Sequence, residues 1–256
     1  MRALEQLVRF GWAQALSCIF PVVIFASLAL TEFIPLPFLP RYDWLLIICL
    51  LMQGWMIRSG LETMDELKVI SVFHIIGLAL EIFKVHMGSW SYPETGYFKL
   101  FGVPLYSGFM YASVASYLCQ AWRRLGVELI RWPPFVVVVP IAAAIYLNFF
   151  THHYWVDIRW WLCGAVIVVF WRSGVAYEVG NTRYRMPLVF SFMLIGFFIW
   201  IAENIATYFS AWEYPNQADA WSVIHLGKVS SWMLLVIVSF LIVATLKQMK
   251  KNGPGK

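Results

Sequence analysis

An all-α fold, a polytopic transmembrane bundle of about eight helices, is what this sequence predicts, and three observations predict it. The first is composition: 61% of residues are hydrophobic and 13% charged, with a mean hydropathy of +0.70. A soluble domain is usually about 45–50% apolar and about 25% charged, so a chain this apolar lacks the polar surface to cover a core in water. The second is a series of apolar runs near the ~20 residues that a spanning helix needs. The third is that the positive charges lie in short strips between those runs, as they do in loops that orient a membrane protein.

In order, the expected spans are 8–30, 40–57, 68–86, 103–122, 134–151, 157–172, 187–209 and 222–246, the second and sixth being short. The first follows Arg2 and Arg9 with no small-residue cleavage site after it, which reads as a retained helix and not a signal peptide. Residues 1–246 form one transmembrane domain, and 247–256 a basic, disordered cytoplasmic tail. Cys18, Cys49, Cys119 and Cys163 all lie inside apolar runs, as buried small hydrophobes do, and predict neither a disulfide framework nor a metal site.

With the N-terminus inside, one side of the membrane collects Arg2, Arg9, Arg58, Lys68, Arg123, Arg124, Arg131, Arg172, Arg183, Arg185 and four tail lysines; the other has Arg41, Lys84, Lys99, Arg159 and Lys228. This bias requires an even number of spans and places both termini in the cytoplasm. A helical bundle points to the inner membrane, since outer-membrane proteins are barrels. The formal charge of +5 is thereby assigned to orientation, and no nucleic-acid partner is expected; the partners are membrane lipid and a hydrophobic small molecule.

The opposite side carries a pattern beyond an aromatic belt. Glu81, Trp90, Tyr92 and Pro93 recur as Glu203, Trp212, Tyr214 and Pro215, all at an interval of 122 residues. A second block, Asp43, Cys49, Arg58, Ser59 and Gly60, recurs as Asp157, Cys163, Arg172, Ser173 and Gly174, at an interval of 114. The change of interval falls in the loop from Arg172 to Pro187, where an insertion is tolerated. Two parallel four-helix repeats, about 8–122 and 134–246, follow. If the third and seventh helices face the axis that relates them, Glu81 and Glu203 converge.

Ionisable residues inside spans are costly and mark candidate sites. Glu203, with Asn204 and Thr207 beside it, is the foremost: a carboxyl removed from water favours its neutral form, which can donate a proton. Glu81 has Lys84 three residues on, close enough for a local ion pair or for a lysine that snorkels outward. Lys228 opens the eighth span as a partner for Glu203 or as another snorkelling lysine. His152, His153 and Asp157 fall at the turn between the fifth and sixth spans, where an Asp can orient an imidazole as a base; a polar interfacial turn accounts for them equally. Adjacent histidines on a helix diverge by about 100°, so no metal is expected, and no cofactor motif occurs. Tyr106, Ser113, Tyr117 and Gln120 share one helix face, suited to interhelical hydrogen bonds or a lined cavity. Trp90, Tyr92, Tyr111, Trp212 and Tyr214 supply rings for a substrate site, where Trp90, Trp212 and Tyr111 can stabilise a developing carbocation.

The stretches EIFKVHMGSWSYPE (81–94), GVPLYSGFMYASVASY (102–117) and WEYPNQ (212–217) resemble those of the DUF817 family of bacterial integral membrane proteins, over nearly the whole chain. That resemblance implies a polytopic membrane protein and no particular chemistry. A looser similarity, with no residue-by-residue match, is to carotenoid-modifying membrane enzymes. The sequence thus supports an enzyme acting on a lipid or isoprenoid substrate, a small-solute transporter built from the two repeats, or an accessory membrane subunit without chemistry.

Overall fold

The computed structural model describes residues 2–252, with side chains over 3–245. Nine α-helices occur among the described residues: α1 (Arg2–Ser17), α2 (Ile19–Phe33), α3 (Arg41–Arg58), α4 (Met64–His86), α5 (Ser107–Arg124), α6 (Phe135–Thr151), α7 (Arg159–Phe170), α8 (Leu188–Tyr208) and α9 (Lys228–Asn252). Seven of the eight expected spans fall on α3 to α9, one on each. The first does not fall on one straight helix: it breaks at Cys18 into α1 and α2, bent by 68°. α4, α8 and α9 are long and apolar enough to cross a membrane; the bent α1–α2 pair passes that test together, and α6 and α7 are apolar but shorter. The chain is a mostly helical membrane protein.

Local chemistry sets the helix ends. Thr63 caps α4 by accepting the Glu66 N–H, while the Glu66 carboxylate accepts the Thr63 N–H, a reciprocal pair that satisfies two otherwise orphan donors. Pro40 and Pro134 precede α3 and α6, where their fixed φ suits the approach to a helix. Beyond α3 and α4 the chain turns at Gly60 and Gly88, with φ of 73° and 67°, a left-handed geometry that glycine adopts without a Cβ penalty.

Two features depart from the expected pattern. The segment between α7 and α8, expected as loop, is a β-hairpin of β4 (Gly174–Val179) and β5 (Thr182–Pro187), joined by β3 (Glu128–Ile130) into an antiparallel sheet of order β3-β4-β5. Its two-residue turn begins at Gly180, with φ of 60°. A shorter antiparallel pair, β1 (Lys99–Leu100) and β2 (Val103–Pro104), precedes α5. The expected disordered tail is helical as far as Asn252, since Leu, Lys, Gln and Met are good helix formers; residues 253–256 lie outside the described residues.

The chain divides into two compact units, one of Leu16–Gln120 with Ala202–Val223, the other of Met1–Ala15, Ala121–Ile201 and Ile224–Lys256. The core of the first holds Tyr42, Tyr92 and Tyr106, whose rings meet at 5.3–6.4 Å. The second is built round Trp132, Phe170, Phe192 and Phe240, in ring contacts of 5.4–5.8 Å. The division falls within α8, so the end of that helix and the loop after it belong with the first unit. Both copies of the Trp-x-Tyr-Pro motif are therefore in one unit.

Candidate functional site: two buried carboxylates under paired aromatic loops

Glu81 and Glu203 are buried, each five residues before the end of its helix, α4 or α8. Each helix then turns into its Trp-x-Tyr-Pro loop, which folds back over the carboxylate. The Tyr92 hydroxyl donates to Glu81 Oε2 at 2.7 Å, and the Tyr214 hydroxyl donates to Glu203 Oε1. The spacing from acceptor to donor is eleven residues in both. Burial and the facing carboxylate push both phenols well above their usual range, so they stay protonated and act as donors.

Glu81 also accepts from the Trp90 indole, at 2.6 Å, and on Oε1 from the Tyr111 hydroxyl of α5, at 2.7 Å. Tyr111 reaches its place because Gly77 has no side chain: a Cβ there would lie 2.4 Å from the Tyr111 ring.

The two loops touch through their backbones. Ser91 and Glu213, the variable residues of the two motifs, exchange both N–H···O=C bonds at 2.9 Å as an isolated antiparallel bridge. They stand 122 residues apart, the interval of the motif itself, and such a reciprocal pair has a local twofold relation between its residues. Beside the bridge, the Trp90 and Tyr214 rings meet edge to face at 5.8 Å.

Two polar nodes hold this arrangement. Asp43, buried at the start of α3, accepts the Tyr97 and Phe98 N–H groups at 2.8 and 3.0 Å, while Lys99 Nζ donates to the Tyr92 and Glu94 carbonyls. Arg41 was not foreseen as a site residue, yet it joins both helix ends. It donates to Thr31 Oγ1 and the Leu28 carbonyl of α2, and to the carbonyls of Phe209, just past α8, and Ser210. It also ion-pairs with Glu94 and with Glu32. A guanidinium at carbonyl-rich helix C-termini is favoured by the helix dipole as well as by the bonds. Lys84 corrects an expectation: it is buried, not snorkelling, with Nζ 5.9 Å from the Phe83 ring centroid.

A family model for a protein of unknown function (DUF817) matches residues 6–240. This chain belongs to the DUF817 family. An uncharacterized protein, YoaT of Bacillus subtilis (strain 168), is 77% identical over 256 residues, covering all of this chain and 97% of that protein. Among solved structures, a cross-linked trimer of MvINS aligns with a TM-score of 0.52, and the mycobacterial Insig homolog MvINS from Mycobacterium vanbaalenii with 0.50. Each is 12% identical, covering 76% of this chain and 98% of the other. At that identity the likeness is one of fold alone.

Of the residues singled out in this DUF817 chain, one unit gathers Glu81, Glu203, Trp90, Tyr92, Tyr111, Tyr214, Trp212, Asn204, Tyr106 and Tyr117. Tyr106 is spent on structure, donating to the Ala211 carbonyl before the second motif. On α5, Ser113 bonds its own helix at the Met110 carbonyl and Gln120 donates to the Leu61 carbonyl. Lys228, His152, His153 and Asp157 belong to the other unit. There the two imidazoles stack at 4.2 Å, and His152 Nδ1 donates to the Asn148 carbonyl at 2.9 Å. Asp157 bonds Asn148 Nδ2, the Arg159 N–H and the Arg159 guanidinium, a turn closed on itself. No cluster of three or more metal-ligating side chains occurs among the described residues. A further buried acid that sequence reading passed over, Glu62, accepts from Gln53 and Ser116. It sits just before α4 in a polar stretch that resembles an ordinary loop.

Proposed function

We propose that this chain is a membrane-embedded enzyme that acts on a lipid or isoprenoid substrate, with Glu203 as the proton-transferring acid and Glu81 as a fixed anion. What carries the reading is a pair of buried carboxylates in one unit, each held by the tyrosine of its own Trp-x-Tyr-Pro loop. Five residues from a helix end is roughly 7.5 Å of depth, within reach of a lipid's first carbons below its headgroup. The donors from Trp90, Tyr92 and Tyr111 hold the Glu81 carboxylate in place, where with the ring faces it would stabilise positive charge on a substrate. The Tyr214 hydroxyl, at once donor and acceptor, holds the Glu203 carboxyl and is the group through which a proton would reach or leave the acid. Of the two complements to Glu203, Glu81 shares its unit.

The test is mass spectrometry of small molecules that co-purify in mild detergent, comparing the natural chain with Glu81→Gln, Glu203→Gln and the double variant, each checked for folding. The expected outcome is a specific isoprenoid or lipid that is retained by one form and lost or altered in another. Bulk phospholipid alone, equal in all four, would remove the reading.

The Ser91–Glu213 bridge favours a second reading, a small-solute transporter whose repeats, about 8–122 and 134–246, rock about a shared axis. Substrate-dependent uptake into sealed vesicles would support it, and the absence of flux across a broad solute panel would count against it. Both readings place the chain in the inner membrane with both termini cytoplasmic, on the charge bias described above.

A further inference from the structure

We infer that the turn between α3 and α4 is a binding site for a monovalent alkali cation, held by the Glu62 carboxylate, the Gln53 side-chain carbonyl and the Ser116 hydroxyl oxygen. Gln53 lies on α3, five residues before its end at Arg58. Past that end the chain doubles back at Gly60, with φ of 73°, and the Glu62 N–H donates to the Met56 carbonyl at 3.1 Å. This brings the Glu62 side chain back to Gln53, whose Nε2 donates to Glu62 Oε2. From α5, Ser116 and Gln120 share one helix face. The Ser116 hydroxyl donates to Glu62 Oε1, and Gln120 Nε2 donates to the neighbouring Leu61 carbonyl. Gln53, Glu62, Ser116 and Gln120 are all buried, and all belong to one compact unit.

One atom of this node points to a ligand. Gln53 is 8% exposed, and its Oε1 is buried with no hydrogen-bond donor among the described residues. An unmet buried acceptor is costly, and this one belongs to the same amide whose nitrogen grips the carboxylate. Turning the amide over does not help, because its oxygen would then face a Glu62 oxygen and its nitrogen would be left over. The donors of the node go to Glu62 and Leu61, so what is in excess is oxygen: two from the carboxylate, with those of Gln53, Ser116 and the Leu61 carbonyl. A water would supply hydrogens, but it brings lone pairs of its own and no charge. A cation takes several oxygens at once. Glu62 provides one negative charge, which a monovalent ion balances, whereas divalent ions are commonly held by more carboxylates. The C-terminal end of α3 adds the partial negative charge of its last carbonyls, and some transporters hold sodium at such helix ends. Oxygens of this kind suit hard ions and not the zinc or copper that cysteine and histidine would take. The site does not depend on the reading of Glu81 and Glu203 as anion and acid.

The experiment follows thermal unfolding of the full chain in one detergent, with sodium or potassium chloride exchanged for choline chloride at constant ionic strength. Sodium or potassium is expected to raise the melting temperature saturably, as a ligand that binds only the folded state does, and choline to leave it unchanged. Glu62→Gln keeps the shape and removes the charge; Gln53→Met keeps the length and removes the unmet oxygen. Both should abolish the rise. Asp65→Asn, at a half-exposed acid three residues beyond Glu62, should keep it. Equal melting of the natural chain in all three salts would overturn the inference, and that arm needs no variant to fold. A rise undiminished in Glu62→Gln would overturn it as well, by placing the ion elsewhere. Stability that changes with pH but with neither alkali ion would make a proton the occupant and overturn it equally.

Discussion

Glu81 and Glu203 occupy matching positions on α4 and α8, and each accepts a hydrogen bond from the tyrosine eleven residues later, yet the tryptophan of the first copy serves both. Trp90 donates to the Glu81 carboxylate, in parallel with Tyr92 and Tyr111, while its ring meets Tyr214 of the second copy edge to face. Parallel donors spread the load over one acceptor, so losing one leaves the others in place.

The difference is sharpest on removal of a single hydroxyl. Tyr214→Phe takes a donor from buried Glu203 and should lower stability by about 1–3 kcal/mol, the cost of leaving a buried polar group short of a hydrogen bond. Tyr92→Phe leaves Trp90 and Tyr111 on Glu81 and should cost about 1 kcal/mol. Thermal unfolding of the two variants in one detergent checks the order. A Tyr92→Phe loss as large as that of Tyr214→Phe would show that the parallel donors on Glu81 do not share the load.

A second variant tests the part of the Glu81 copy that comes from α5. Gly77→Ala would place a methyl 2.4 Å from the Tyr111 ring, and the ring must move off Glu81 or the helices must part. Overpacking of this kind costs typically 1–3 kcal/mol; about 2 kcal/mol is expected in the same melting assay. Gly54→Ala, where a Cβ meets nothing within 4 Å, serves as the neutral control. If Gly77→Ala proved as mild, Tyr111 would not depend on that gap.

Much of this was legible in the sequence, for reasons that residues make plain. Apolar runs locate helices because lipid leaves the backbone no other way to satisfy itself, and seven runs fell on single helices. The recurring Glu, Trp, Tyr and Pro pointed to the paired carboxylates and their loops because all four belong to one local unit, a helix end and the loop that folds back on it. What escaped notice depends on partners distant in sequence. Arg41 sits ten residues from Thr31 and about 170 from Phe209 and Ser210, and nothing near it in the chain announces either. The hairpin after α7 did carry a signal: Gly-Asn between alternating residues such as Val175, Tyr177 and Val179 is a turn pattern. It competes with the expectation of a loop between two spans. The bend at Cys18 left little trace, since the apolar run continues through it.

The second recurring block gives the smallest expected effect and the clearest control. Asp43 is buried and accepts two backbone N–H groups more than fifty residues away. Asp157 bonds only within its own turn among the contacts described above, and its side chain is 37% exposed. Burial, the largest influence, pushes the Asp157 carboxyl up. The bonds from Asn148 and the Arg159 N–H, with the charges of Arg159 and His152, outweigh it and hold the group below its usual range. A carboxyl depressed in the folded state contributes stability above its unfolded value, near 3.8, and that contribution is lost as pH falls through the folded value. Solvent screening at this exposure keeps it small, under about 1 kcal/mol. Melting of the natural chain should therefore be flat with respect to this group from pH 7 to about pH 5 and decline only in stronger acid. Asp157→Asn should start slightly lower at pH 7 and show less of that decline. An Asp157→Asn loss at pH 7 as large as that of Tyr214→Phe would mean that the turn carries a load its local bonds do not explain, as expected if His152, His153 and Asp157 form part of a site.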